Sequence, residues 1–285
     1  MPLFSRPDGK LADVPAVRKI MPFIMRTRNE SAVYFEQEID LTRTLPFIEK
    51  FNSSHPGIRV TVFHVFIWAA VQALHARPRL NRFVVGSRIY DRDGIWISYS
   101  AKKAMSPDAP VVVLKRKLDA SMPFEEIVKL TMGDLSEGRS DKKSHVDKEL
   151  GLFLSLPAPL LRLGVKLMMW LDSWNLLPGS FIHPDPMYAS LFVANLGSVK
   201  LESAYHHLYE YGSIPLFATI GKKKTVGDRT VCSVKYSFDE RIEDGLYAAG
   251  ALELLRERIE NPESPAVEKP WKLEASGLAA AAPGA

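Results

Sequence analysis

Cysteine is almost missing from this chain. Cys232 stands alone among 285 residues, so no intramolecular disulfide framework can form, and a reducing, cytoplasmic setting is expected. The opening residues, MPLFSRPDGKLADVP, lack the basic end and apolar run of a secretory leader. An excess of one sign of charge is also missing, with 37 Lys and Arg against 33 Asp and Glu and a net charge of only +4. The one obvious basic cluster, Lys222-Lys223-Lys224, falls between two strand-like segments and reads as a solvated hairpin, so nucleic acid is not an expected partner. No Gly-rich phosphate fingerprint, P-loop or C-x-x-C pair occurs, which removes nucleotide and structural-zinc readings, and no metal is expected. No uncharged run reaches the ~18 residues of a bilayer crossing. Neither a fixed-period repeat nor a low-complexity run is present, so one compact unit is the default.

What is present is an ordinary globular composition, 46% hydrophobic and 25% charged. Residues 32–40, AVYFEQEID, suit a strand with one wet face. Residues 61–78 place Val62, Phe66, Ala69, Val71 and Leu74 at helical spacings and stop before Pro78, which predicts a buried helix. Residues 83–100 read as two strands joined through Asp93-Gly94, a common hairpin signal, and PVVVLKRKLD adds another strand. A helix over 122–137 and a polar surface loop, SEGRSDKKSH, follow. Three more strands, in YASLFVANLG, IPLFATIG and TVCSVKYSFD, precede a helix from about Gly245 to Ile259. Strands mixed with helices argue for an α/β sandwich.

The most apolar stretch runs from Leu150 to Pro178, LGLFLSLPAPLLRLGVKLMMWLDSWNLLP. Arg162, Lys166 and Asp172 interrupt it, and Pro157 and Pro159 break it. From Leu160 onward it reads as a helix apolar nearly all round, which predicts burial in the core first, with a subunit or partner interface and a membrane surface as the alternatives.

Six motifs then occur in order: VRKIMPFIMRTRNES, EIDLT, RPRLNRFVVG, SLFVANLG, IPLFATIGK and YSFDERIEDG. Together they resemble the catalytic core of the 2-oxoacid dehydrogenase acyltransferases, whose fold is shared with chloramphenicol acetyltransferase. The resemblance covers residues 15–262, leaving an N-terminal arm at 1–14 and a loose Pro/Ala/Gly-rich tail at 263–285. Nothing lipoyl-like precedes it, so a stand-alone relative is expected. The resemblance implies an α/β, two-layer sandwich with a mixed sheet, assembled as a homotrimer. It also implies a coenzyme A thioester as substrate, bound in a channel where the 236–245 turn of one subunit faces the 190–197 strand of its neighbour.

The family signature at the strand end is His-x-x-x-Asp-Gly, and here Glu240 occupies the histidine position ahead of Asp244-Gly245. The Ser or Thr that normally precedes Asn-Leu-Gly is Ala194, ahead of Asn195, Leu196 and Gly197, and the resemblance implies that Ala194, Asn195 and Gly197 contact the thioester. Histidine, with a pKa of ~6.5, suits proton transfer at neutral pH, whereas a carboxylate at ~4.3 lies about four units below a thiol at ~8.5. Burial would raise Glu240, and Arg241 would pull the other way. Losing a general base costs ~10² to 10⁴ in rate, and one oxyanion donor ~10² to 10³.

His206 and His207, in AYHHLYEYG, are further candidate bases, read beside a packing role in a Tyr-rich turn. His183, in HPDP, reads as a loop residue. Asp244 is implied to give structural support through an ion pair, and Gly245 to meet a backbone requirement at a helix start. Two functions stay open: a CoA-dependent acyltransferase with altered machinery, or an inactive homologue that binds CoA esters or serves as a scaffold, with 150–178 as its docking face for a protein partner.

Overall fold

The computed structural model describes residues 5–103, 108–139 and 156–265. Residues 140–145 of the polar loop, 150–155 of the apolar stretch, and the tail from 266 lie outside the described residues.

A six-stranded mixed sheet carries the fold. Its strands are β2 (Ala32–Asp40), β5 (Ile95–Lys102), β6 (Val111–Leu118), β7 (Leu191–Asn195), β8 (Leu216–Val226) and β9 (Arg229–Asp239), in spatial order β2-β9-β8-β7-β5-β6. β7 runs parallel to both β5 and β8, and the remaining pairings are antiparallel. α3 (Val62–Ala76), α4 (Phe124–Arg139) and α7 (Gly245–Glu260) pack on one face, giving the expected two layers. α3 is apolar on every side and nearly all of it is buried, as its composition predicts. α2 (Thr44–Ser54) packs at its flank.

A second, three-stranded sheet, β1-β4-β3, corrects the hairpin reading at Asp93-Gly94. β3 (Arg82–Val85) and β4 (Arg88–Arg92) pair through Gly86-Ser87, both at positive φ (55° and 56°), the geometry of a two-residue hairpin turn. Asp93-Gly94 instead carries the chain from β4 into β5 of the other sheet, held by Asn81 Nδ2 donating to the Gly94 carbonyl at 2.8 Å. β1 (Gly9–Leu11) belongs to this small sheet, so the described part of the N-terminal arm packs on the body. Arg6 Nε donates to Asp8 Oδ1 at 2.8 Å, and both side chains are buried.

The core reading of the apolar stretch is also corrected. α5 (Ala158–Ser173) exposes Leu160, Leu163, Leu167, Met169 and Trp170, and Asp172 is its only buried residue. Apolar composition all round measured the helix's appetite for cover, not whether this chain supplies it. The body holds only the carboxyl end of α5: Arg6 Nη1 donates to Asp172 Oδ1 at 2.8 Å, and the following Leu177 and Ile182 are buried around α6 (Gly179–Ile182). Among the described residues, no helix is long and apolar enough to cross a membrane.

Candidate active site

β9 ends at Asp239, and the turn after it is built by charge pairing. Arg241 grips Asp239 with two bonds, Nε to Oδ1 at 2.8 Å and Nη2 to Oδ2 at 2.7 Å, and the Ser31 hydroxyl donates to the same carboxylate at 2.8 Å. Arg241 is therefore neutralised by Asp239 and is not the free cation expected to act on Glu240. Two residues on, buried Glu243 meets Arg79 Nε at 3.2 Å and Arg82 Nη1 at 3.4 Å. Asp244 caps α7, its Oδ1 accepting from the Tyr247 N–H at 2.9 Å, and its Oδ2 lies 3.8 Å from Arg18 Nη2. Gly245 has no left-handed φ, and a Cβ there would meet nothing within 4 Å, so the backbone requirement expected of it is not found.

Glu240 sits among these pairs without sharing in them. Its N–H donates to the Ser31 carbonyl at 3.0 Å and its carbonyl accepts from Arg18 Nη1 at 2.9 Å, while its half-buried carboxylate makes no hydrogen bond or ion pair with the described residues.

The Asn-Leu-Gly turn closes β7. Asn195 Oδ1 accepts from the Ser198 N–H at 3.2 Å, which leaves Nδ2 without a partner among the described residues. Gly197 is required by close approach: a Cβ there would lie 2.5 Å from the Gly221 carbonyl oxygen. Two cavities, of about 780 and 400 Å³, share Asn195, Ser198, Arg59, Thr61 and Phe63, beside the amino end of α3. Lys102, Ala194 and His64 line the larger one.

His64 is the residue that sequence reading missed. The Thr61 N–H donates to its Nδ1 at 3.1 Å, and the Thr61 hydroxyl lies 3.0 Å from the same nitrogen. A backbone N–H can only donate, so Nδ1 holds the lone pair and the proton of the neutral ring sits on Nε2. Burial keeps the ring neutral, pushing its pKa down to about 4. Nε2 is buried and has no hydrogen-bond partner among the described residues. His64 thus offers an unpaired N–H donor. The cue in the sequence was Thr61 three residues ahead of a histidine at a helix start, a variant of the capping box.

His206 adopts the opposite tautomer. Its Nδ1 lies 2.8 Å from the His207 carbonyl, which can only accept, so the proton sits on Nδ1 and the lone pair on Nε2. Its ring stacks on Phe217 at 3.9 Å, and burial lowers its pKa. His207 is exposed and stacks on His206 at 4.3 Å. Ala194 packs into the same Phe192–Phe217 cluster, so His206 and Ala194 share one face of the sheet. His183 stacks on Trp96, which packs against this cluster.

Glu240 is not brought to Asn195. Leu216 pairs with Phe238 at the amino end of β8, whereas Asn195 pairs with Ile220 four residues further on. At ~3.3 Å per residue, Glu240 and Asn195 lie roughly 15–20 Å apart along the strands of one protomer.

No protein-family model and no curated protein sequence matches this chain. Solved structures do. A probable dihydrolipoamide acetyltransferase from Listeria monocytogenes superposes with a TM-score of 0.57 at 17% identity, covering 90% of this chain and 98% of that one. A truncated catalytic core of the 2-oxoacid dehydrogenase multienzyme complex from Thermoplasma acidophilum gives 0.58 at 16% identity, over 90% and 100%. A chloramphenicol acetyltransferase gives 0.55 at 10% identity, over 88% and 98%. This chain therefore has the two-layer, mixed-sheet fold of the chloramphenicol acetyltransferase and dihydrolipoamide acetyltransferase catalytic cores, the fold that the resemblance of its motifs implies.

Proposed function

We propose that this protein binds a coenzyme A thioester and transfers its acyl group, as a homotrimer with rearranged catalytic groups. One observation carries the reading: beside Ala194, which has no hydroxyl to offer, the same cavity holds the unpaired Asn195 amide and the buried, unpaired Nε2–H of His64. In this reading the two neutral donors would hold the thioester carbonyl, and Arg59, Lys102 and the amino end of α3 would supply positive potential for the phosphates. His206 suits the base role better than Glu240 because its Nε2 lone pair is free at neutral pH; its ring lies with Phe217 on the sheet face away from α3, so the acceptor it serves has to reach the donor cavity around the end of β7. In the transfer, Nε2 takes the proton of a thiol or hydroxyl acceptor as that atom attacks the thioester carbonyl. The tetrahedral oxyanion collapses, the C–S bond breaks, and the CoA thiolate recovers the proton.

The unpartnered carboxylate of Glu240 favours a second reading, a CoA-ester-binding homologue without turnover, because nothing orients that group as a base. Chromatographic measurement of acetyl-CoA loss to a dithiol acceptor separates the two. Acyl transfer predicts turnover that falls ~10²-fold or more in His206→Gln and stays within threefold in Glu240→Gln. Turnover lost in Glu240→Gln but kept in His206→Gln excludes His206, and binding without turnover in the wild type establishes the second reading.

A further inference from the structure

We propose that the 156–176 segment is an interfacial anchor that lays α5 on an anionic lipid surface, with α1 (Ala16–Ile24) beside it. The inference is independent of the acyl-transfer reading. Leu160, Leu163, Leu167, Trp170 and Trp174 recur at spacings of three and four, which aligns them in one stripe. All five are exposed, Leu163 at 63% and Trp170 at 53%, as are Leu156, Met169 and Leu176. On α1, Val17 is 74% and Ile24 67% exposed, with Ile20 and Phe23 between them. Pro22 and Arg26 from the α1 region border the same small cavity as Met169 and Ser173 of α5, so the two apolar surfaces are neighbours.

Charge selects the occupant. The outward charges of α5 are Arg162 and Lys166, both exposed and without a partner among the described residues, and Lys19 and Arg26 are exposed at α1. Neither helix presents an acid: α1 has none, and Asp172 is buried against Arg6. A second copy docked face to face would bring cations toward cations and offer no counter-charge, and a neighbour docked through a different face is the outcome that the sedimentation arm below detects. Anionic headgroups supply that charge, acyl chains cover the leucines, and tryptophans favour the boundary between them. Sixteen residues at ~1.5 Å each span about 24 Å, short of the ~30 Å hydrocarbon core, so α5 lies along the surface. Its carboxyl end, tied by Asp172 to Arg6 and by Asn175 Nδ2 to the Tyr90 hydroxyl at 3.1 Å, sets the orientation of the body on that surface.

Flotation of the full chain with vesicles tests this, using phosphatidylcholine alone and a 7:3 mixture with phosphatidylglycerol, on the order of 0.1 M salt, where surface charge is still felt. The expected result is at least a tenfold higher bound fraction on the mixture, falling tenfold in Arg162→Gln/Lys166→Gln and in Leu163→Asp/Leu167→Asp. The first variant changes only exposed side chains, so it remains informative if the second does not fold. No preference for the anionic vesicles, or wild-type binding in the folded Arg162→Gln/Lys166→Gln variant, overturns the proposal. So does a wild type that ignores both vesicles but loses mass by sedimentation in Leu163→Asp/Leu167→Asp, which would make this face a protein interface.

Discussion

Arg241 and Asp239 hold each other across Glu240, with Nη2 and Oδ2 2.7 Å apart and both side chains buried. The pair keeps the shape of the turn whatever residue stands between its members. Removing one partner of a buried pair leaves an uncompensated charge, at a cost of about 3–5 kcal/mol. Arg241→Leu should therefore lower unfolding stability by that order, while Glu240→Gln, which touches no pair, should change it by no more than about 0.5 kcal/mol. Urea unfolding of the two variants decides this; equal effects would refute the division of roles.

His64 makes a pH prediction whose sign is fixed by its depressed pKa. The unfolded chain protonates this ring near ~6.5 and the folded one only at about 4, so the folded state binds fewer protons between those values. Its contribution to stability is present above pH ~6.5 and is lost as pH falls toward 4. Between pH 7 and pH 5 the loss is about 2 kcal/mol. His64→Leu should flatten the slope of stability in that window, and an unchanged slope would mean the ring is not held neutral.

How much of this was legible in the sequence depended on whether the signal was local. β2 was read at its observed bounds and α3 to within a residue or two, because β-branched residues and period 3.6 are properties of a few neighbouring side chains. Asp93-Gly94 misleads because a turn signal gives no account of which sheet the next strand joins, and Gly86-Ser87, which makes the hairpin, is the weaker signal beside it. For Leu160 to Trp174 the apolar pattern predicts the helix but not its surroundings. His64 lay hidden in an apolar run, since its distinguishing feature, a buried Nε2 without a partner, exists only after folding. The separation of Glu240 from Asn195 likewise follows from strand register, which no motif spells out.

That separation bears on assembly. A site using both the 236–245 turn and the 190–197 strand requires a neighbouring subunit, so sedimentation equilibrium at micromolar concentration should give three times the 31.9 kDa chain mass. A monomer would remove any role for Glu240 at the Ala194 site.

Reverting both changed positions tests the inherited geometry. Glu240→His with Ala194→Ser should raise acetyl-CoA turnover at least tenfold, with each single change falling well short because groups that act as a unit are non-additive. A double variant slower than the wild type would show that the present groups already form a working site and that the family arrangement is gone.

The most direct measurement is calorimetric titration of acetyl-CoA into the wild type, Arg59→Ala and Asn195→Ala. One site per chain is expected, with affinity at least tenfold weaker in Arg59→Ala, if its cation meets the phosphates, and measurably weaker in Asn195→Ala, if its Nδ2 meets the thioester. A wild type that gives no binding, or two variants that bind as tightly as it does, would contradict the cavity at the amino end of α3 as the coenzyme A site.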